Sequence, residues 1–202
     1  MPLYEPAPFD ESMLARVAED HVQYSLRVFH DLQDDLEEFC RYLRPEPEHL
    51  NVFSTKLWGI ILRACAEIDS QLNALLDELN GPAKDERTIR DYIACENNLR
   101  LSSFTLSLRG GPPRLFAPFE SFAASPSKVP DWWTDYNSVK HRRLNSLKKA
   151  TLENAIHAVG GLYVVLYRQW GEYWMPRPMT FVAGQKMAKS SAFFLIERSP
   201  WP

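Results

Sequence analysis

The sequence predicts a mainly α protein: an antiparallel bundle of four to five helices, with a small β-hairpin or irregular insertion ahead of one unusually aromatic helix. Three observations carry that expectation. Apolar residues recur three and four apart over long stretches near both ends of the chain. Clusters of proline and glycine separate those stretches. Only one region, around 101–108, alternates with the period of a strand. At 202 residues the chain has the size of one domain with a proper core.

The first helix is expected from about Asp10 to Arg44, where Leu14, Val17, Val22, Leu26, Phe29, Leu32, Leu36, Phe39 and Leu43 form the apolar stripe. Asp10 and Ser12 are its cap candidates, and the RPEPEH segment ends it because proline cannot continue a helix. A second helix is expected from about His49 to Leu79, closed by Asn80-Gly81-Pro82. A shorter one follows from Glu86 to about Asn98. Leu101 to Leu108 then reads as a strand, and Arg-Gly-Gly-Pro-Pro as a turn. Pro126 and Pro130 frame the entry to the aromatic helix, about Asp131 to His141 or beyond. The last long helix is expected from about Lys148 to Tyr173. Gly160-Gly161 inside it costs about 1 kcal/mol per glycine relative to alanine, and close approach of a neighbouring helix would explain that cost. One helical domain is thus expected over residues 1–174, with the insertion at about 99–129. The tail, 175–202, holds two short apolar segments that pair as strands or drape over the bundle.

Apolar residues make up 45% of the chain, and the net charge is −3. With a pI near 6.0, the protein is not one that coats nucleic acid indiscriminately, so any such contact is local. Cys40, Cys65 and Cys95 are widely spaced in apolar helical settings and read as free buried thiols. Their odd number, and an N-terminus without the basic and apolar parts of a signal peptide, point to the cytoplasm. The most apolar run, LWGIILRACAEI, is broken by Arg63 and Glu67 and is too short to span a bilayer, so no membrane partner is expected. No metal and no cofactor are expected: the histidines lack ligand spacing, and no phosphate-binding loop or nucleophile elbow occurs.

The segment DWWTDYNSVKHRR, Asp131 to Arg143, concentrates the chemistry. On a helix Trp133, Asn137 and His141 share one stripe, and Trp132, Tyr136, Lys140 and Leu144 the next. Such a helix can present an imidazole to a groove, flanked by Lys140, Arg142 and Arg143. It can equally be a satisfied polar lock of the core, with the basic residues complementing the helix dipole. On the second helix Arg63 and Glu67 lie four apart. Glu67 can pair with His141 or Lys140 across the bundle, or with Arg63 in its own helix. Asp31, Asp34, Asp35, Glu37 and Glu38 form an acidic stretch, and Lys140, Arg142, Arg143, Lys148 and Lys149 a basic one suited to phosphate or to an acidic partner.

The run WWTDYNSVKHRR, followed by KKATLENAIHAVGGLYVVL, resembles the signature half of HEPN-like helical proteins, common in toxin–antitoxin and antiphage systems. The resemblance spans roughly Pro130 to Leu166 and is looser over the first two helices. The family's short motif is often Arg-Asn-x-x-x-His; here the register reads Tyr136-Asn137-Ser138-Val139-Lys140-His141, with tyrosine in place of arginine. The resemblance implies a metal-independent endoribonuclease site at a dimer interface, with His141 as acid/base, Asn137 as its polar support and Tyr136 at the third position. Charge stabilisation would then fall to Lys140 or Arg142, and Arg63, Glu67 and Trp133 would support the site. It implies RNA and a second copy as partners, or a protein encoded in the same operon. Three functional readings stay open: a non-catalytic RNA- or partner-binding module in a defence or stress system, the endoribonuclease, and a homodimerisation scaffold.

Overall fold

The computed structural model describes residues 19–79, 81, 84, 86–109, 114–171 and 193–200. The protein is mainly helical, with one small three-stranded antiparallel sheet. The helices are α1 (Glu19–Tyr42), α2 (Thr55–Glu78), α3 (Ile89–Ala94) and α4 (Glu96–Leu99), followed beyond the first two strands by α5 (Asp131–His141), α6 (Arg143–Ser146) and α7 (Leu152–Trp170). The strands are β1 (Thr105–Leu108), β2 (Leu115–Phe116) and β3 (Phe194–Arg198), ordered β2-β1-β3.

α1 buries Val22, Leu26, Phe29, Leu32 and Leu36, the stripe expected from spacing; the expected first turns, residues 10–18, lie outside the described residues. α2 starts six residues later than expected because Ser54 caps it, its hydroxyl accepting from the Leu57 N–H at 3.1 Å. Gly81 N–H closes the far end on Leu76 O at 2.7 Å. The expected third helix is broken in two at Cys95, and α4 ends at Arg100 in the left-handed region, φ 56°. The carbonyls left open there are met from α7: the buried Arg168 donates to Leu99 O at 2.9 Å and Asn98 O at 3.0 Å.

The expected hairpin forms as β1 and β2, with Leu106 opposite Phe116. One of the two tail segments completes the sheet, as β3 pairs Leu108 with Phe194 and Leu106 with Ile196. Residues 172–192 lie outside the described residues.

α7 is the axis of the core. It is apolar and buried on all sides from Ala158 to Tyr167, as a fully surrounded helix must be. Its most extensive partner among the described helices is α2. It begins four residues later than expected, because Thr151 caps it by accepting from Asn154 N–H at 3.2 Å. The first helical amides are taken by the connection before α2: Leu152 N–H donates to Val52 O at 2.9 Å and Glu153 N–H to Leu50 O at 3.0 Å. Gly171, φ 69°, ends it.

The glycine pair has the close neighbours the sequence required, though the closest belong to the sheet rather than a helix. A Cβ at Gly160 would lie 2.9 Å from Phe116 Cε2 and 3.1 Å from Leu106 Cδ1. At Gly161 it would lie 3.3 Å from Phe119 and 3.4 Å from Ile68 and Trp132. Gly160→Ala is therefore expected to destabilise by about 1–3 kcal/mol through overpacking. At Gly161 helix propensity offsets a milder crowding, so Gly161→Ala should cost clearly less. Thermal unfolding of the two variants checks the difference; equal costs would contradict this account of the crossing.

Candidate functional site

α5 is anchored from within. Trp132, Trp133, Tyr136 and Val139 are its buried positions, spaced three and four apart. Trp132 Nε1 donates to Pro118 O at 2.7 Å, and the Trp132, Trp133 and Tyr136 rings meet edge to face in sequence at 5.5 and 5.2 Å. From α2, Trp58 Nε1 donates to Val139 O at 3.4 Å. Tyr136, expected as a site member, is thus a core side chain. Burial pushes its phenol above the ordinary range, with Lys140 opposing the shift and its ammonium 5.4 Å from the ring centre.

The opposite face is open. His141 is exposed in the last turn of α5, and Asn137 is half-buried. Neither has a hydrogen-bond or ion-pair partner among the described residues, so these two residues do not form the polar lock that spacing allowed. Neither pairing considered for Glu67 forms. Its carboxylate accepts from Gln71 Nε2 at 2.6 Å, while Arg63 pairs with Asp35 of α1. Lys56 joins that network at Asp35 and Glu38, so part of the acidic stretch is neutralised within the chain.

After His141 the chain breaks direction at Arg142, forms α6 and a 3₁₀ turn (Leu147–Lys149), and reaches the α7 cap. Ten residues, Lys140 to Lys149, contain no acid. Lys140, His141, Arg142, Arg143, Lys148 and Lys149 are all exposed, and Leu144 between them is 91% exposed. Arg143 lies over the Trp58 ring at 4.8 Å, and Lys149 pairs with Asp135 at 2.9 Å. Arg142, His141 and Lys148 have no partner among the described residues. The basic run is a solvent-facing ridge held by a packed aromatic base.

Sequence reasoning missed what lies beside it. Lys148 and Lys149 also line a groove of about 470 Å³, between the start of α5, the start of α7 and the loop at 117–121. His157 faces it from α7. Its Nδ1 lies 2.9 Å from Glu153 O, and a carbonyl only accepts, so Nδ1 carries the proton and Nε2 the lone pair. Burial lowers the imidazole pKa, opposed by the same carbonyl bond and the Glu153 charge. The signal was available: Glu153, Asn154 and His157 are three and four apart, a polar patch opening an otherwise apolar helix.

No group of three or more histidine, cysteine or acidic side chains fit to hold a metal occurs among the described residues, and no helix among them is long and apolar enough to cross a membrane. Burial raises the Cys40 thiol to about 12 and the Cys65 thiol well above its usual value, which disfavours the reactive thiolate of both. No family model, curated protein or solved structure matches the chain.

The geometry separates two kinds of substitution. His141→Ala and Asn137→Ala should change stability by no more than about 0.5 kcal/mol, whereas Tyr136→Ala should cost about 3–5 kcal/mol. Urea unfolding measures both. A large cost at His141 would contradict its open placement. For His157 the folded pKa lies below the unfolded one, so its contribution is present above the ordinary imidazole value, about 6.5, and is lost as pH falls through the folded pKa. Unfolding free energy should drop between pH 7.5 and 5.5, and His157→Phe should flatten that slope.

Proposed function

We propose that this chain is a non-catalytic RNA-binding module of the HEPN-like kind, a helical bundle whose ridge from Lys140 to Lys149 grips the phosphate backbone in a defence or stress system. The observation that carries the reading is the acid-free basic run, its basic side chains all exposed, with Arg142, His141 and Lys148 uncommitted. The whole chain carries a net charge of −3, which discourages indiscriminate binding, and this ridge is where a polyanion is attracted. Leu144 offers an apolar contact to an unstacked base. The defence setting and a second copy across this face rest on the resemblance alone.

The non-catalytic part rests on Tyr136. At the register where HEPN-like nucleases hold arginine, a phenol packs into the core instead. Arg142, six residues on, lies past the end of α5. The endoribonuclease reading keeps one observation in its favour, the exposed His141 imidazole between Lys140 and Arg142.

Fluorescence anisotropy with a labelled dodecauridylate tests the proposal. Wild type should bind, and the double variant Arg142→Ala/Lys148→Ala should bind more weakly. It should also flatten the slope of log affinity against log salt by about 1.4, at roughly 0.7 per lost contact to a single strand. Unchanged affinity in the double variant would sink the ridge. Metal-free cleavage of the RNA, abolished by His141→Ala, would replace this reading with the nuclease.

A further inference from the structure

The groove beside the ridge is lined to accept hydrogen bonds. The α7 amides at its edge offer no anion site, because Leu152, Glu153, Asn154 and Ala155 N–H groups are all bonded within the chain. Four carboxylates line the groove against two lysines. Asp135 is committed to Lys149 and to Asn154 Nδ2 at 3.0 Å, and Glu153 to Arg114. Glu120 and Asp131 remain, without partners among the described residues. His157, mostly buried, adds the Nε2 lone pair; the charged groups around it are Glu153 on its own helix, Arg114 beside β2 and Glu120 in the loop. Ser121 also lines the groove, but its Oγ is buried away from the opening. Trp132, Pro118 and Pro130 form flat apolar walls, and Lys148 stands as the uncommitted cation.

Acceptors between apolar walls, with a cation of the ridge alongside, match the amino group of an amino-bearing nucleobase. Cytosine and adenine place an N–H₂ donor next to a ring acceptor, and a carboxylate is the side chain suited to the cytosine amine. Uracil puts a carbonyl in that place, which would face the carboxylate. A volume of about 470 Å³ lies within the range of small-molecule sites. We infer that this groove receives one unpaired, amino-bearing base of the strand held by the ridge. The base amine donates to Glu120 or to His157 Nε2, and the phosphate lies against Lys148. This inference rests on the RNA-binding reading and adds base selection to it.

Cytidine and uridine 5′-monophosphates carry the same charge and nearly the same shape, so calorimetric titration of the full chain with each isolates the amine. Cytidine monophosphate should bind about tenfold or more tightly than uridine monophosphate. Glu120→Gln and His157→Phe should each shrink that ratio, and Lys148→Ala should weaken both nucleotides alike while keeping it. Two substitutions on different elements guard against a folding defect, which the melting curve of each would reveal. Equal binding of the two nucleotides, or no binding of either at millimolar concentration, overturns the inference. The ridge has its own readout, the dodecauridylate affinity of the unaltered chain, because a uridine strand presents no amine. Binding of that strand without a cytidine preference removes the base site and leaves the ridge.

Discussion

The sheet, α2, α5 and the 117–123 loop are set against α7 by the crowding around Gly160 and Gly161. α7 passes through the centre of the fold, and at this point β1, β2, α2, α5 and the 117–123 loop all come within van der Waals reach of one turn. Leu106 and Phe116 close from the sheet, and Ile68, Phe119 and Trp132 from the other side. A side chain at Gly160 would push the sheet off the helix, and the sheet is where β3 pairs with β1. Interiors packed to crystal-like density transmit such shifts. The helix accepts the poor propensity of two glycines because the approach they allow buries Leu106, Phe116, Phe119 and Trp132 together.

That crossing also orients the candidate site. Trp132 sits at the Gly161 contact and is tied to Pro118 O, so the start of α5 cannot rotate independently of α7. Trp133, Tyr136 and Val139 continue the buried face, and Asn137, Lys140 and His141 must then face outward. The division of the segment follows from helical geometry alone: aromatic residues carry the packing and polar ones face the solvent. Arg142 leaves the helical conformation, φ −137°, and the break fans the remaining basic residues along the surface up to the α7 cap.

Much of this was legible in the sequence. The apolar stripes of α1, α2 and α7 and the bounds of α5 follow from period and proline, and the glycine pair announced a close approach. Helix starts were misplaced where a single hydroxyl decides them: Ser54 and Thr151 each cap a helix that periodicity alone would begin earlier. The break at Cys95 escaped because no proline or glycine marks it, and what holds the end of α4 is tertiary: its Asn98 and Leu99 carbonyls are met by Arg168, about seventy residues away. Arg63 escaped because its partner is tertiary: spacing offers Glu67 four residues on, while Asp35 of α1 took it, and Glu67 bonds Gln71 four residues further along its own helix. His157 was passed over because its partners are a backbone carbonyl and a groove formed by three separate segments.

A solvent-facing ridge from Lys140 to Lys149, carried on a packed aromatic base, is the proposed binding surface of this chain. Amide chemical-shift mapping of the isotope-labelled protein with unlabelled dodecauridylate tests it most directly. The account predicts perturbations concentrated at residues 140–149 and the first turn of α7, with the α2–α7 core unchanged. Perturbations centred on α1, or none at saturating RNA, would contradict it.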